Sequence, residues 1–386
     1  MAKIIPSSLL AAALFTVAFA VNLQAPLYSV YAAESEVGAT AVTFAFAAYV
    51  AGLMPTLMLL GGLSDRTGRR IPVAAALLLG LTATVLLAAY PSWQVLVIAR
   101  FMLGAGTGLA TTAGTAYMTE ILGESKAKEA ALLVTSATSL GFGGGALATG
   151  VSLDLQGPAI MPASFVALFL LAPALVVSTL LLPRVDIRKA VSMLRLPVFP
   201  SRTWPFGVAL ALAWSTTGMT IAVVPLQLEE QGFGAYTGLV IFLAIFIGFL
   251  CQPAARKMAN PKSLLTGYIL VPFGFLMLLA GVWSQSILLI LSGTCITSSA
   301  SYGFTYLASL SEFSLRAPEN RARATAGLFV YAYVGFSLPV IASGALADEF
   351  GLLTAMIAFF AFQLTVTVLA ISIWQIRYPR EEAKLA

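Results

Sequence analysis

Gly61-Gly62-Leu63-Ser64-Asp65-Arg66-Thr67-Gly68-Arg69-Arg70 lies between two apolar runs, 40–60 and 72–90, that contain no Asp, Glu, Lys or Arg. Each run is close to the roughly 20 residues an α-helix needs to cross the hydrocarbon core of a bilayer. A ten-residue connection with three glycines is a tight turn, so the two runs form an antiparallel hairpin. Its three arginines mark the side of the membrane that retains positive charge. Within the turn, Asp65 is placed to cap a helix N-terminus or to pair with Arg69. Arg66 and Arg70 are placed to reach carboxylates and lipid headgroups.

The rest of the chain repeats this grammar. Of 386 residues, 59% are hydrophobic and 10% are charged, against about 25% charged in an ordinary soluble domain. Only a bilayer accommodates so much apolar surface, and the runs are long and lack the alternation of barrel strands, so an all-α membrane protein is expected. Twelve runs qualify: 7–31, 40–60, 72–90, 93–115, 130–151, 160–182, 204–226, 237–255, 263–283, 285–308, 324–346 and 351–374. The charges test that count. With both termini cytoplasmic, the inside segments hold Lys3; Arg66, Arg69 and Arg70; Lys126 and Lys128; Arg184, Arg188, Lys189, Arg195 and Arg202; Arg256, Lys257 and Lys262; Arg316, Arg321 and Arg323; and Arg377, Arg380 and Lys384. That is every Lys and Arg except Arg100. The outside loops carry only acids: Glu34, Glu36, Asp154, Glu229, Glu230, Asp348 and Glu349. A miscounted span would scramble this partition. Lys3, the first apolar run and Ala18-Phe19-Ala20 also imitate a cleavable secretory signal. Cleavage would invert the partition, so the run is read as span one.

Gly141-Phe142, Gly150 and Asp154 recur 194 residues later as Gly335-Phe336, Gly344 and Asp348. The repeat divides the chain into a six-helix half, 1–182, a cytoplasmic linker, 183–203, with five basic residues, and a second six-helix half, 204–386. With both halves in the cytoplasmic (inner) membrane, the chain is expected to be multi-pass and monomeric. Histidine is absent, and Cys251 and Cys295 lie in apolar runs without ligand spacing, so no metal or other cofactor is expected. No G-x-x-x-x-G-K-[ST] stretch exists to cradle a nucleotide phosphate. The basic charge belongs to inside loops rather than to a nucleic-acid surface, and no convergent catalytic set is visible. A carrier is therefore expected, not an enzyme, a scaffold or a channel.

The 61–70 stretch resembles the signature loop of the major facilitator superfamily, G-x-L-x-D-R-x-G-R-[RK], at every defined position. Arg100-Phe101-Met102-Leu103-Gly104-Ala105-Gly106-Thr107-Gly108 is similar to the family's R-x-x-x-G-x-G-x-G element, and 318–327 to the loop before span eleven. Gly141, Gly145 and Gly150 resemble the glycine-rich antiporter element, although its usual Gly-Pro pair is absent. The second-half counterpart of 61–70 keeps Arg256-Lys257 but not the Asp or Gly. The resemblance implies the family fold, alternating access about a midplane site, and a cytoplasmic gate formed by Gly61, Asp65, Arg66, Gly68, Arg69 and Arg70, with Glu120 nearby. It also implies that spans one, four, seven and ten line the central cavity.

Candidate pathway residues follow from polarity. Arg100 is the one charge deep in a span, where an arginine costs about 2.5–3.5 kcal/mol on insertion scales. It either binds an anionic group or bonds carbonyls of neighbouring helices. Gly104, Thr107, Thr111 and Thr115 continue its face. Asn22, Gln24, Tyr28 and Tyr31 in span one, Thr216, Thr220 and Gln227 in span seven, and Thr294, Ser298, Ser301, Tyr302 and Thr305 in span ten complete the set, although such residues also mediate packing. No carboxylate sits mid-span, so a coupling proton would fall to Glu34 or Glu120. Together these features predict proton-coupled efflux of an amphipathic or weakly anionic small molecule, with uptake of a small metabolite as the alternative.

Overall fold

The computed structural model describes residues 4–184 and 192–382. Lys3, Arg188, Lys189 and Lys384 of the charge partition, and 185–191 of the linker, lie outside the described residues. Twelve helices long and apolar enough to cross a membrane are present: Ile4–Glu34, Ala39–Leu59, Arg70–Ala89, Trp93–Leu122, Glu124–Gln156, Ala163–Leu181, Trp204–Glu230, Gly234–Ala255, Asn260–Trp283, Ile287–Leu315, Pro318–Phe350 and Leu352–Ile376. The twelve-span expectation holds, and the described residues contain no strand. Spans four, five, ten and eleven outrun their apolar cores, because polar residues such as Thr119, Glu120 and Lys128 extend the helices beyond the bilayer-length segment.

Three spans are not regular, which changes the faces expected from a 3.6-residue period. Span one breaks over 22–27, where Pro26 lacks the N–H that would bond the Asn22 carbonyl, and resumes at Tyr28. Gln24 therefore lies in the break and not on a helical face with Tyr28 and Tyr31. Span seven breaks at Val223, next to Pro225. Span ten widens into a π-helical segment over Ser299–Thr305, a distortion that often marks functional sites.

Close contacts group Met1–Leu196 with Val224–Phe246 into one compact unit, and Pro197–Val223 with Ile247–Ala386 into a second. In the first unit, small residues let backbones touch. A side chain at Gly104 would fall on the Tyr49 carbonyl of span two, and one at Gly145 on the Phe19 carbonyl of span one. The R-x-x-x-G-x-G-x-G glycines are thus packing positions between spans two, three and four. The second unit is closed by aromatic and hydroxyl contacts, with Tyr268 donating to the Pro205 carbonyl (2.6 Å) and Ser309 to the Phe206 carbonyl (2.9 Å).

Candidate functional site

The signature loop closes on Arg69. Leu63–Thr67 forms one short helix, and Gly68 ends it at φ +86°, a conformation that favours glycine. This turn brings Arg69 back over Asp65, which it meets at 2.7 Å, so of the two expected roles of Asp65 the pairing is realised. The same guanidinium grips Glu120 at the end of span four through Nε and Nη2 (2.8–3.2 Å) and donates Nη1 to Ser64 Oγ (2.6 Å). Burial works against the charge on Arg69, but the hydrogen bonds and charges of Glu120 and Asp65 outweigh it and hold the guanidinium above its usual range. Arg70 donates to the Leu180 carbonyl of span six (2.8 Å), and Arg66 is exposed. Ser64 was not visible in the sequence as a gate residue; only the fold brings its hydroxyl under Arg69. The structure thus brings Glu120 onto the signature loop, while Glu34 is exposed at the far end of span one.

Arg100 is 1% exposed. Its Nη1 donates to the Val21 carbonyl (2.8 Å), at the start of the break in span one, and Nη2 reaches the Phe46 carbonyl (3.4 Å). The guanidinium also lies 4.8 Å from the Tyr49 ring centroid and 5.1 Å from that of Phe46, within cation–π range. Gln24 donates to the same Val21 carbonyl (2.9 Å), Asn22 to the Phe142 carbonyl (2.9 Å) and Thr149 to the Leu23 carbonyl (2.7 Å). The break is thus stitched by side chains from spans four and five. Arg100 Nε and the hydroxyls of Tyr28 and Tyr31 are buried without a partner among the described residues. Thr111, further along span four, is exposed. At this break end the first unit also holds a cavity of about 720 Å³, with apolar walls from Pro26, Leu27, Val30 and Leu153 and two carboxylates, Asp154 and Glu229. Gln227 donates to Glu230 (3.5 Å), and its Oε1 is unpartnered.

In the second unit the expected polar residues are spread over three contacts. Thr216 accepts from the Gln363 amide, whose Oε1 is left without a partner, and bonds its own helix at Leu212 (3.0 Å), as Thr220 does at Thr216 (2.9 Å). Ser298 accepts from the Gly248 N–H (2.9 Å), and Thr217 meets Ser301 at 3.3 Å. Between these lies a residue the sequence did not reveal. Trp214 in span seven is surrounded by Tyr333 (5.0 Å), Tyr302 (5.7 Å), Tyr306 (6.2 Å), Phe336 (6.2 Å) and Phe329 (6.3 Å), and its Nε1–H is buried without an acceptor. Trp214 is itself buried and four of the five flanking rings are half-buried, so the cluster is an aromatic wall between spans seven, ten and eleven with one donor unspent among the described residues. No local pattern pointed to it, because its partners come from spans ten and eleven.

The model of the Major Facilitator Superfamily matches residues 10–338. No curated protein matches the sequence. Among solved structures, the chain is similar to the nucleoside transporter NupG, with TM-score 0.79 and 12% identity over 97% of this chain and 100% of that one. It is also similar to a bacterial homologue of the human lysosomal transporter Spinster, in an inward-facing and unoccupied conformation, with TM-score 0.69 and 13% identity over 96% and 95% of the two chains. Twelve spans, the saturated signature loop and a family match over most of its length agree: the chain belongs to the major facilitator superfamily and is a transporter, not an enzyme.

Proposed function

We propose that this transporter exports a small, amphipathic, ring-bearing organic solute by alternating access, in exchange for protons. The aromatic wall around Trp214 carries the reading. Flat rings stack on half-buried aromatic faces, and the unspent Trp214 Nε1–H supplies one directional hydrogen bond to an acceptor on the solute. Trp214, Tyr302 and Tyr306 lie on spans seven and ten, which the family resemblance assigns to the cavity. A neutral solute fits better than an anionic one, because Arg100 already donates to two backbone carbonyls. Export rests on the likeness of Gly141, Gly145 and Gly150 to the antiporter element. Proton coupling falls to Glu120, the carboxylate whose protonation loosens Arg69 from the gate. The mobile halves in this reading are 1–182 and 204–386, in the inner membrane, with both termini and the 61–70 loop cytoplasmic.

The test is a thermal-shift screen of ring-bearing solutes, with nucleosides first because of the fold likeness to a nucleoside transporter, followed by counterflow of the hits in proteoliposomes. Binding to the folded state raises apparent stability by mass action, and only a carrier shows trans-stimulation. Trp214→Ala should lose the shift and Trp214→Phe should keep part of it. Hits that stabilise Trp214→Ala as well as the parent would overturn the reading.

A further inference from the structure

We infer that the linker segment 192–195 is a third member of the gate, and that Arg195 is its positioning residue. The segment lies directly on the signature loop. Gly62 donates its N–H to the Met193 carbonyl (3.3 Å), and Arg195 donates its own N–H to the Met58 carbonyl (2.7 Å). A Cβ at Gly62 would fall on the Ser192 carbonyl, and one at Gly61 would lie 2.6 Å from Arg195 Cδ. Both glycines therefore act as the floor on which the linker rests, a role beyond turning the chain. The Arg195 guanidinium then stands 3.7 Å from Asp65 Oδ2, while Arg69 holds Oδ1 at 2.7 Å. Asp65 is claimed from both sides, once by its own loop and once by the linker.

The segment is held again just beyond. Val198 donates its N–H to the Arg323 carbonyl (2.9 Å), and its own carbonyl covers Gly327. The first unit thus holds the chain up to Arg195, and the second holds it from Val198 on. Three residues span about 10 Å at full extension. Under the alternating-access reading above, on which this inference rests, opening this end requires one anchor to let go. The Arg195 anchor ends in an ion pair that is half-open to solvent, with the arginine side chain 33% exposed, and it is the one that a change of charge at Asp65 releases.

The experiment places spin labels on the full chain at Thr67→Cys and Glu319→Cys, with Cys251 and Cys295 replaced by Ser, and reads the distance distribution together with the melting temperature. Arg195→Ala should shift the population towards longer distances by about threefold, the scale of a half-exposed ion pair. Arg195→Lys should restore the parent distribution, and high salt should mimic Arg195→Ala in the parent. A distribution unchanged by Arg195→Ala, or a shift equal in Arg195→Ala and Arg195→Lys, overturns the role of the linker charge. If Asp65→Asn moves the distribution while Arg195→Ala does not, the gate stands and the linker does not belong to it. If neither moves it, the rocking reading itself fails.

Discussion

The repeat has left two versions of one joint, and they differ in charge. In the first unit, Glu120 near the end of span four binds Arg69 at the start of span three. In the second, Glu312 near the end of span ten accepts from Asn260 at the start of span nine (3.0 Å), 192 and 191 residues further along, close to the 194-residue displacement of the repeat. The geometry of the tie is therefore kept. Its chemistry is not. Arg69 bridges Glu120, Asp65 and Ser64 at once, whereas Asn260 is a neutral amide shared between Glu312 and Ser311. Glu312 takes its cation from its own helix, Arg316 at 2.6 Å. One joint is a charged node that the linker reaches. The other is a local clasp, which explains why the second loop has no Asp or Gly to lose.

Removing both carboxylates from the first joint gives the largest expected effect. Asp65→Asn or Glu120→Gln alone leaves Arg69 one anion, so each single change should lower transport more than stability. The double variant leaves a buried guanidinium with neutral acceptors and no counter-charge, and breaking a buried pair in this way costs about 3–5 kcal/mol. Asn260→Ala with Glu312→Gln should cost about 1 kcal/mol, the scale of an ordinary hydrogen bond, because no buried cation is orphaned. Chemical denaturation of the two double variants measures the contrast. Equal losses would erase the distinction between joint and clasp.

How much of this was legible in the sequence depends on whether the signal was local. The spans, the charge partition and the Asp65–Arg69 pair come from contiguous or i,i+4 patterns, and the structure contains the spans and the pair. Helical periodicity failed where proline or a π-helical turn reset the register, so Gln24 left its expected face. Ser64, Arg195, Trp214 and the Asn260–Glu312 clasp were invisible for one reason. Each acquires meaning only from partners brought in by the fold, and nothing in its own neighbourhood distinguishes it. Arg100 was conspicuous as a charge in an apolar run, but its partners, the Val21 carbonyl at the break in span one and the Phe46 carbonyl of span two, are brought to it by the fold.

Arg100 sharpens the comparison at a second level. The position 194 residues on is Thr294, whose hydroxyl bonds only the Ile290 carbonyl of its own helix (2.8 Å). Arg100 instead ties span four to spans one and two. Arg100→Ala removes two charge-assisted hydrogen bonds between spans, each worth roughly 1.5–3 kcal/mol, and Arg100→Lys should recover part of this with a single ammonium in place of the fork. Thr294→Ala should fall within about 1 kcal/mol of the parent. Melting temperature and solute affinity measured together decide the role. A stability loss with affinity intact in the folded fraction fits a tie, and lost affinity at unchanged stability would make Arg100 a solute-binding group.

The smallest effect expected tests whether charge alone makes a gate. Asn260→Arg puts a guanidinium where Arg69 stands in the first copy, half-buried and within reach of Glu312. It must share that carboxylate with Arg316, which already holds it at 2.6 Å. The position corresponding to Asp65, 191 residues on, is occupied by the exposed Arg256, so the new cation meets a like charge instead of a second anion. A partly exposed pair of this kind is worth about 0.2–1 kcal/mol, and competition for one carboxylate divides even that. Stability should therefore stay within about 0.5 kcal/mol of the parent, and the transport rate should be unchanged. Adding Arg256→Asp supplies the missing anion and completes the three-member node, so only the double variant should slow transport by over-fastening this end. Slowing by Asn260→Arg alone would show that one cation at the start of span nine suffices, and that the asymmetry of the two joints lies elsewhere than in the shared carboxylates.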